Sequence, residues 1–395
     1  MFEALKATEP DQLLALIGMF LADERSDKVD LGVGVYKDKT GATPVMRAVA
    51  EGERRAIAAQ STKTYVGMRG DAAFNDALAR LALGEDADLS RVRTTQTPGG
   101  CGALRVIADL LAQARPGAAL WLSDPTWPNH GPTMAAAGLS LKTYPYLDRA
   151  TGGFRFDDMM AALAGAEPGD VVLLHGCCHN PSGANPSPDQ WRALIEMIVK
   201  HGLFPFVDLA YQGFGDGLDE DAAALRMIAE TAPEMAAAIS CSKNFGVYRD
   251  RVGMAMIKGR TGEEADKALS QLFVNARNSY SMPPNHGAAA VREVLLDDEL
   301  RADWRAELEE MRLRMARLRQ GFADALRRHS NSDRFDFLAK QQGMFSLLGL
   351  SPDQVVHMRE AHGVYMAGDG RINVAGLPDG RLDDVAAKVV ATING

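Results

Sequence analysis

The chain has 395 residues, of which 46% are hydrophobic and 24% charged, and a formal net charge of -9. That length exceeds one ordinary core, so two domains, or one large domain with a smaller one appended, are expected. The acidic balance argues against a nucleic acid or a membrane surface as partner, and four cysteines without CxxC spacing suggest neither a disulfide framework nor a zinc ribbon.

An apolar run from Leu13 to Ala22, with Asp11 before it and Asp23 after it, is too short to span a bilayer and lacks the basic flank of an export signal. It reads as a short buried helix, packed on its own core or on a partner subunit. Val29 to Lys37 is strand-like and broken by Gly32 and Gly34, which read as close-approach or turn positions. Lys63 to Gly70 is a loop containing Tyr65, ahead of a helix that begins near Asp71. Thr97-Pro98-Gly99-Gly100-Cys101-Gly102 then feeds an amphipathic helix through Leu111. A glycine turn at a helix N-terminus offers free N–H groups and a positive dipole end to a phosphate. The Lys-Ser/Thr pair of a nucleotide P-loop is missing.

From there strands and helices alternate. Ala119 to Leu122, Val171 to His175, Phe204 to Asp208 and Ala236 to Ile239 read as buried strands, separated by helical patterns such as Pro188 to His201 and Asp221 to Glu230. This alternation predicts an α/β fold with a mostly parallel sheet that binds ligands at the C-terminal ends of its strands. Asp208 is a carboxylate at the end of an apolar strand and needs a partner, which a pyridinium nitrogen supplies. Lys243 sits among hydroxyls in Ser240-Cys241-Ser242-Lys243, and a lysine of lowered pKa condenses with an aldehyde. Tyr211 and Asn180 suit a phenolate oxygen, Trp127 suits a planar ring, and Ser240 and Arg251 suit a phosphate. Jointly these residues describe a cradle for pyridoxal phosphate.

At this point the chain resembles the aspartate and aromatic amino acid aminotransferases of the fold-type I pyridoxal phosphate enzymes, essentially from end to end. The likeness rests on Gly32 to Tyr36, Thr97 to Gly100, Pro125 to His130, His175 to Pro181, Asp208 to Phe214, Ser240 to Gly246 and Gly370 to Gly376. It implies that Lys243 bonds the cofactor aldehyde, Asp208 pairs the ring nitrogen, and Asn180 and Tyr211 hold the ring oxygen. It places Gly99, Gly100, Cys101, Ser240, Ser242 and Arg251 around the phosphate, with Tyr65 reaching it from the other subunit of a homodimer. Arg371 is implied to bind the α-carboxylate with Gly34, Asn180 and Trp127, and Arg277 a side-chain carboxylate across the dimer interface. The division expected is an N-terminal arm and part of the small domain at 1–45, a large cofactor-binding domain at 46–300, and at 301–395, entered by a long helix, the rest of a small α+β domain made from both chain ends.

Three positions depart from the family pattern: Cys101 and Ser182 stand where threonine is frequent, and Met282 where some aspartate-preferring relatives carry asparagine. A flexible apolar Met282 hints at aromatic substrates beside dicarboxylic ones. His175, Cys177, Cys178 and His179 invite a metal reading, but they follow a buried strand and read as core or ring-side groups, so no metal is expected. Leu308, Met311, Met315, Leu318, Phe322 and Leu326 mark a long helix from Ala302 to Arg328 that joins the two domains.

The function expected is transfer of an amino group from aromatic amino acids and aspartate or glutamate to a 2-oxo acid such as 2-oxoglutarate, in the cytoplasm, with Lys243 as base and acid. The alternatives are a strict aspartate aminotransferase, a decarboxylase or β-eliminating enzyme on the same fold, and a non-catalytic ligand-binding domain.

Overall fold

The computed structural model describes residues 1–7 and 12–395. Eleven strands are present among them: β1 (Val29–Asp30), β2 (Val92–Pro98), β3 (Ala119–Asp124), β4 (Ser140–Pro145), β5 (Val171–His175), β6 (Phe204–Leu209), β7 (Met235–Ser240), β8 (Val252–Lys258), β9 (Phe345–Leu347), β10 (Val364–Tyr365) and β11 (Arg371–Asn373). Seven form one sheet in the order β2-β8-β7-β6-β5-β3-β4. The run from β4 through β3, β5 and β6 to β7 is parallel, while β8 lies antiparallel to both β7 and β2. Four of the anticipated strands are β3, β5, β6 and β7; of the strand-like Val29 to Lys37 only Val29–Asp30 pairs, as β1 with β10.

Their continuous apolar sequences follow from burial on both faces. Leu120, Leu122, Leu173, Phe206, Ala236 and Ala238 pack with Leu104, Ile107 and Leu111 of the helix Gly99–Ala114. The alternate residues Trp121, Val172, Leu174, Val207, Ala237 and Ile239 pack on the other side, with Leu194 and Ile198 of the helix Pro188–Lys200. Period-two alternation thus divides each strand between two cores, with no polar face left over.

A third core joins Val29 and Leu31 to Leu348, Val364, Ile372 and Val389. The long helix is longer than anticipated, Asp298–Ser330: Asp297 Oδ1 caps it, accepting from the N–H of Glu299 and Leu300, and Asn331 at φ 49° ends it. Leu300, Trp304, Leu308, Met311 and Met315 on this helix join the sheet-side core, and Leu318, Phe322 and Leu326 join the third.

The N-terminal helix, Gln12–Ala22, corrects one expectation. Only Leu16 on it is buried, while Leu14 and Leu21 are exposed. Its apolar residues run all round the helix. Asp11 lies outside the described residues. Among those residues no helix is long and apolar enough to cross a membrane.

Candidate active site

The C-terminal ends of β5, β6 and β7 open onto a cavity of about 210 Å³ beside the first turn of the helix Gly99–Ala114. Gly34, Gly100, Cys101, Trp127, Asn180, Asp208, Tyr211, Ser240, Ser242, Lys243 and Arg251 all line it, with His175 and Tyr248. A wider hollow of about 930 Å³ lies beside residues 147–158, but it is an open surface depression with Arg155, Asp157 and Asp158 exposed to solvent. It holds no comparable convergence of strand ends.

Asp208 closes one end of the cavity. Its Oδ2 lies 2.9 Å from His130 Nε2, and His130 Nδ1 lies 2.8 Å from Thr126 Oγ1. An ionised carboxylate only accepts, so Nε2 carries the proton. Burial works to raise the Asp208 carboxyl, but the His130 hydrogen bond and the nearby His175 and Lys243 hold it below its usual value. His175 sits 5.0 Å from the His130 ring with neither ring nitrogen hydrogen-bonded, and burial pushes it down to about 3. It is neutral at physiological pH.

Lys243 follows β7 and brings its Nζ to 4.9 Å from the centre of the Tyr211 ring. Burial lowers the pKa of this amine, Arg251 adds to that effect, and Asp208 opposes it. The Tyr211 hydroxyl accepts a long hydrogen bond, 3.4 Å, from Asn180 Nδ2, and burial raises the phenol far above its usual value.

The opposite end is a cup built from main chain and hydroxyls. Gly99 has φ 71°, and a Cβ on it would stand 2.6 Å from Arg251 Nη2. A Cβ on Gly100 would stand 3.0 Å from Ser240 Cβ. The helix N-terminus therefore approaches Ser240 and Arg251 as closely as glycine permits. Arg251 Nη1 is held by Tyr248 O at 2.8 Å and reaches Ser242 Oγ at 3.5 Å. Free helix N–H groups, two hydroxyls and a guanidinium make an anion site of phosphate size.

Arg371, on β11, borders this set. Its Nη1 donates to Asn180 Oδ1 at 3.4 Å and its Nη2 to Gly32 O at 3.3 Å, Nε has no partner, and the guanidinium stands 4.6 Å over the Phe345 ring. It is buried, and no described carboxylate lies within ion-pair distance of it. Such a group suits a carboxylate brought by a ligand.

A family model described as aminotransferase class I and II matches residues 26–389. This chain belongs to that family. It is 50% identical over 389 residues, 98% of each chain, to the aromatic-amino-acid aminotransferase of Paracoccus denitrificans. It is also 44% identical, over the whole of both chains, to the aspartate aminotransferase of Salmonella typhi. Its fold matches an aromatic-amino-acid aminotransferase from Burkholderia pseudomallei covalently bound to pyridoxal phosphate, with a TM-score of 0.96, 42% identity and 99% coverage of each chain.

In this aminotransferase two residues expected at the site lie away from it within the chain. Tyr65 is 88% exposed and borders a separate hollow with Asn285 and His286. Arg277, near the end of the helix Gly262–Ser279, is exposed and donates to Ser281 Oγ at 2.6 Å. Gly99 stands just behind the lining, against Arg251.

Three residues escaped the sequence reading. Tyr248 lines the cavity and accepts the Tyr36 N–H at 2.9 Å; its signal was an aromatic side chain in the turn between Lys243 and Arg251. Phe345 underlies Arg371 and meets the Tyr211 ring edge-on at 6.0 Å. Asn373 Nδ2 donates to Val33 O and Val35 O at 2.6 and 2.7 Å, which fixes the backbone around Gly34. Ligand atoms of His130, His175 and Asp208, and of Cys177, Cys178 and Asp221, lie within 4.8 Å of one another. Asp208 is already engaged by His130, and Asp221 by the N–H groups of Gly213, Gly215 and Asp216.

Proposed function

We propose that this chain is a pyridoxal phosphate-dependent aminotransferase acting on aromatic amino acids and on aspartate or glutamate, with a 2-oxo acid such as 2-oxoglutarate as acceptor. The observation that carries the reading is one cavity that holds an amine of lowered pKa, a buried carboxylate and an anion cup, with an unpaired buried guanidinium at its border. The residues fit the cofactor. Gly99, Gly100, Ser240, Ser242 and Arg251 suit its phosphate, Asp208 backed by His130 suits its ring nitrogen, Asn180 and Tyr211 its ring oxygen, and Trp127 its face. Cys101, at the third position of the helix, is a weaker donor to the phosphate than a hydroxyl.

When bound, pyridoxal phosphate supplies the aldehyde for amine exchange and a ring that takes up the electrons freed at the substrate α-carbon. Asp208 stays ionised beside His130 and stabilises positive charge on that ring nitrogen. The Lys243 amine, once free, takes the proton from the α-carbon and returns it elsewhere on the reacting system, serving as base and then acid. Arg371 binds the α-carboxylate and, with Gly34, Asn180 and Trp127, orients the α-carbon toward Lys243.

Tyr65 and Arg277 serve the neighbouring subunit of a homodimer, Tyr65 at the phosphate and Arg277 at a substrate side-chain carboxylate. Exposure of Tyr65 and Leu21 supports a covering partner. The chain divides functionally at about residues 45 and 300, and it works in the cytoplasm, in keeping with four free thiols. Dual specificity is favoured over strict aspartate use by the names of the relatives and by Met282.

Borohydride reduction of the purified protein followed by peptide mapping tests the assignment: cofactor mass is expected on Lys243 alone, and recovery on another lysine overturns it. A panel of amino donors then tests the substrate class, with phenylalanine, tyrosine and aspartate all expected to turn over.

A further inference from the structure

Arg319 is a buried cation with an unusual set of partners. It lies on the helix Asp298–Ser330, is 5% exposed, and has no described carboxylate within ion-pair distance. Its charge is met by the oxygens of a single segment, residues 338–346, which runs from the short helix Phe337–Lys340 through a loop into β9. Nη1 donates to Leu338 O at 3.2 Å and to Ser346 Oγ, and Nη2 donates to Gly343 O at 2.9 Å, Phe345 O at 3.0 Å and Gln342 O at 3.4 Å. Ser346 Oγ passes the network on to Gln341 Oε1 at 2.6 Å. A buried guanidinium left without such acceptors is strongly unfavourable, so the loop is obliged to keep this shape.

The same loop is pinned on its other side to the turn that carries Asn180. Gln342 N donates to Gly183 O at 2.8 Å, and Asn185 Nδ2 donates to Gln342 Oε1 at 2.7 Å. A Cβ on Gly183 would stand 2.4 Å from Phe345 O, and one on Gly343 the same distance from Cys178 Cβ. There is no slack through which the loop shifts without moving its neighbours. At its end Phe345 lies under Arg371, against the Tyr211 ring, and 3.0 Å from where a Cβ on Gly34 would be.

We propose that Arg319 is a positioning residue for substrate carboxylate recognition: by gathering the carbonyls of residues 338–345 it fixes Phe345, and Phe345 in turn sets the Arg371 guanidinium and the Gly34 backbone. Arg319 touches neither substrate nor cofactor. The inference rests on the reading of Arg371 as the α-carboxylate site.

The test compares Arg319→Met, Arg319→Lys, Phe345→Leu and each Arg319 variant combined with Phe345→Leu. Steady-state constants are measured for phenylalanine and aspartate, binding of the unreactive carboxylate 3-phenylpropionate is followed by cofactor absorbance, and cofactor affinity is measured separately. Loss of the ring–guanidinium arrangement should raise KM for both donors, and the 3-phenylpropionate Kd, by roughly 3- to 30-fold. kcat and cofactor affinity should change little. The combined variants should stay within about twofold of the larger single effect, because both changes cut one chain of contacts. Additive effects, an unchanged KM, or a parallel loss of cofactor affinity overturn the proposal. Lysine keeps the charge but not the fork, so Arg319→Lys should still raise KM, and it serves if Arg319→Met fails to fold. Failure of the parent protein to bind 3-phenylpropionate refutes the Arg371 reading itself; normal binding in parent and variants alike refutes only the role of Arg319.

Discussion

Replacing Gly99 by alanine should separate cofactor binding from folding. The backbone there has φ 71°, where an L-residue costs ~1–2 kcal/mol, and that strain is the expected loss of global stability. The larger effect falls on the anion cup. The new methyl would stand 2.6 Å from Arg251 Nη2 and 3.0 Å from its Cζ, so the guanidinium has to move. It leaves Tyr248 O and Ser242 Oγ and no longer faces the phosphate. One charge-assisted hydrogen bond is worth ~1.5–3 kcal/mol. Cofactor affinity should therefore fall roughly 10- to 150-fold. Titrating pyridoxal phosphate into resolved apoprotein, followed by absorbance, measures this directly, and a denaturant midpoint measures the strain. Arg251→Ala should lose a similar amount, and adding Gly99→Ala to it should weaken binding little further. A Gly99→Ala protein that binds cofactor within about twofold of the parent would refute the close packing of helix turn and arginine on which the cup rests.

Three other outcomes are expected. Arg277→Ala should cut kcat/KM for aspartate and glutamate by the equivalent of ~2–5 kcal/mol and spare phenylalanine and tyrosine; equal losses for both classes would make Arg277 structural. Of the four thiols only Cys101 is exposed, so alkylation of the native protein followed by mass spectrometry should find the label there and not on Cys177, Cys178 or Cys241, and bound cofactor should slow the reaction. Burial lifts Asp221 to about 6 against the three backbone N–H groups it accepts, with Asp216, Cys177, Cys178 and Arg312 facing it. Its folded value exceeds its unfolded one, so the stability it contributes is complete below about pH 4 and is lost as pH rises through about 6. Asp221→Asn should flatten that part of the stability profile, and an unchanged slope would count against the shift.

Much of the fold could be read because β3, β5, β6 and β7 are buried on both faces, and a run such as Val171-Val172-Leu173-Leu174 records that directly. The strand β2 left no such record. Its Thr95 and Gln96 are buried polar residues satisfied by distant partners: Thr95 Oγ1 donates to Met68 O, Gln96 Nε2 donates to Pro284 O and Gln96 Oε1 accepts the Asp71 N–H. Edge strand β4 shows little of its apolar content because most of it faces solvent. At the site, Asp208, Asn180 and Lys243 were legible as polar residues ending apolar strands. Phe345 carries no local mark and Tyr248 only an ambiguous one, since an aromatic side chain near a turn looks the same whether it packs a core or lines a site. Arg319 was hidden for a related reason, because a single arginine on a charged helix does not reveal that its acceptors come from a loop some twenty residues later.

The pairing of β1 with β10 joins Val29 to Val364, 335 residues later in the chain. At a synthesis rate of ~5–20 residues per second, that gap corresponds to roughly 17–70 s on the ribosome. The seven strands of the sheet are all made once Lys258 is added, while Val29 and Leu31 still wait, apolar and uncovered, for a core built mostly from residues after 317. A long strand left open for so long would invite pairing with another nascent chain. At two residues, β1 is too short to serve as a template, and the last core to close leaves little for a chaperone to guard.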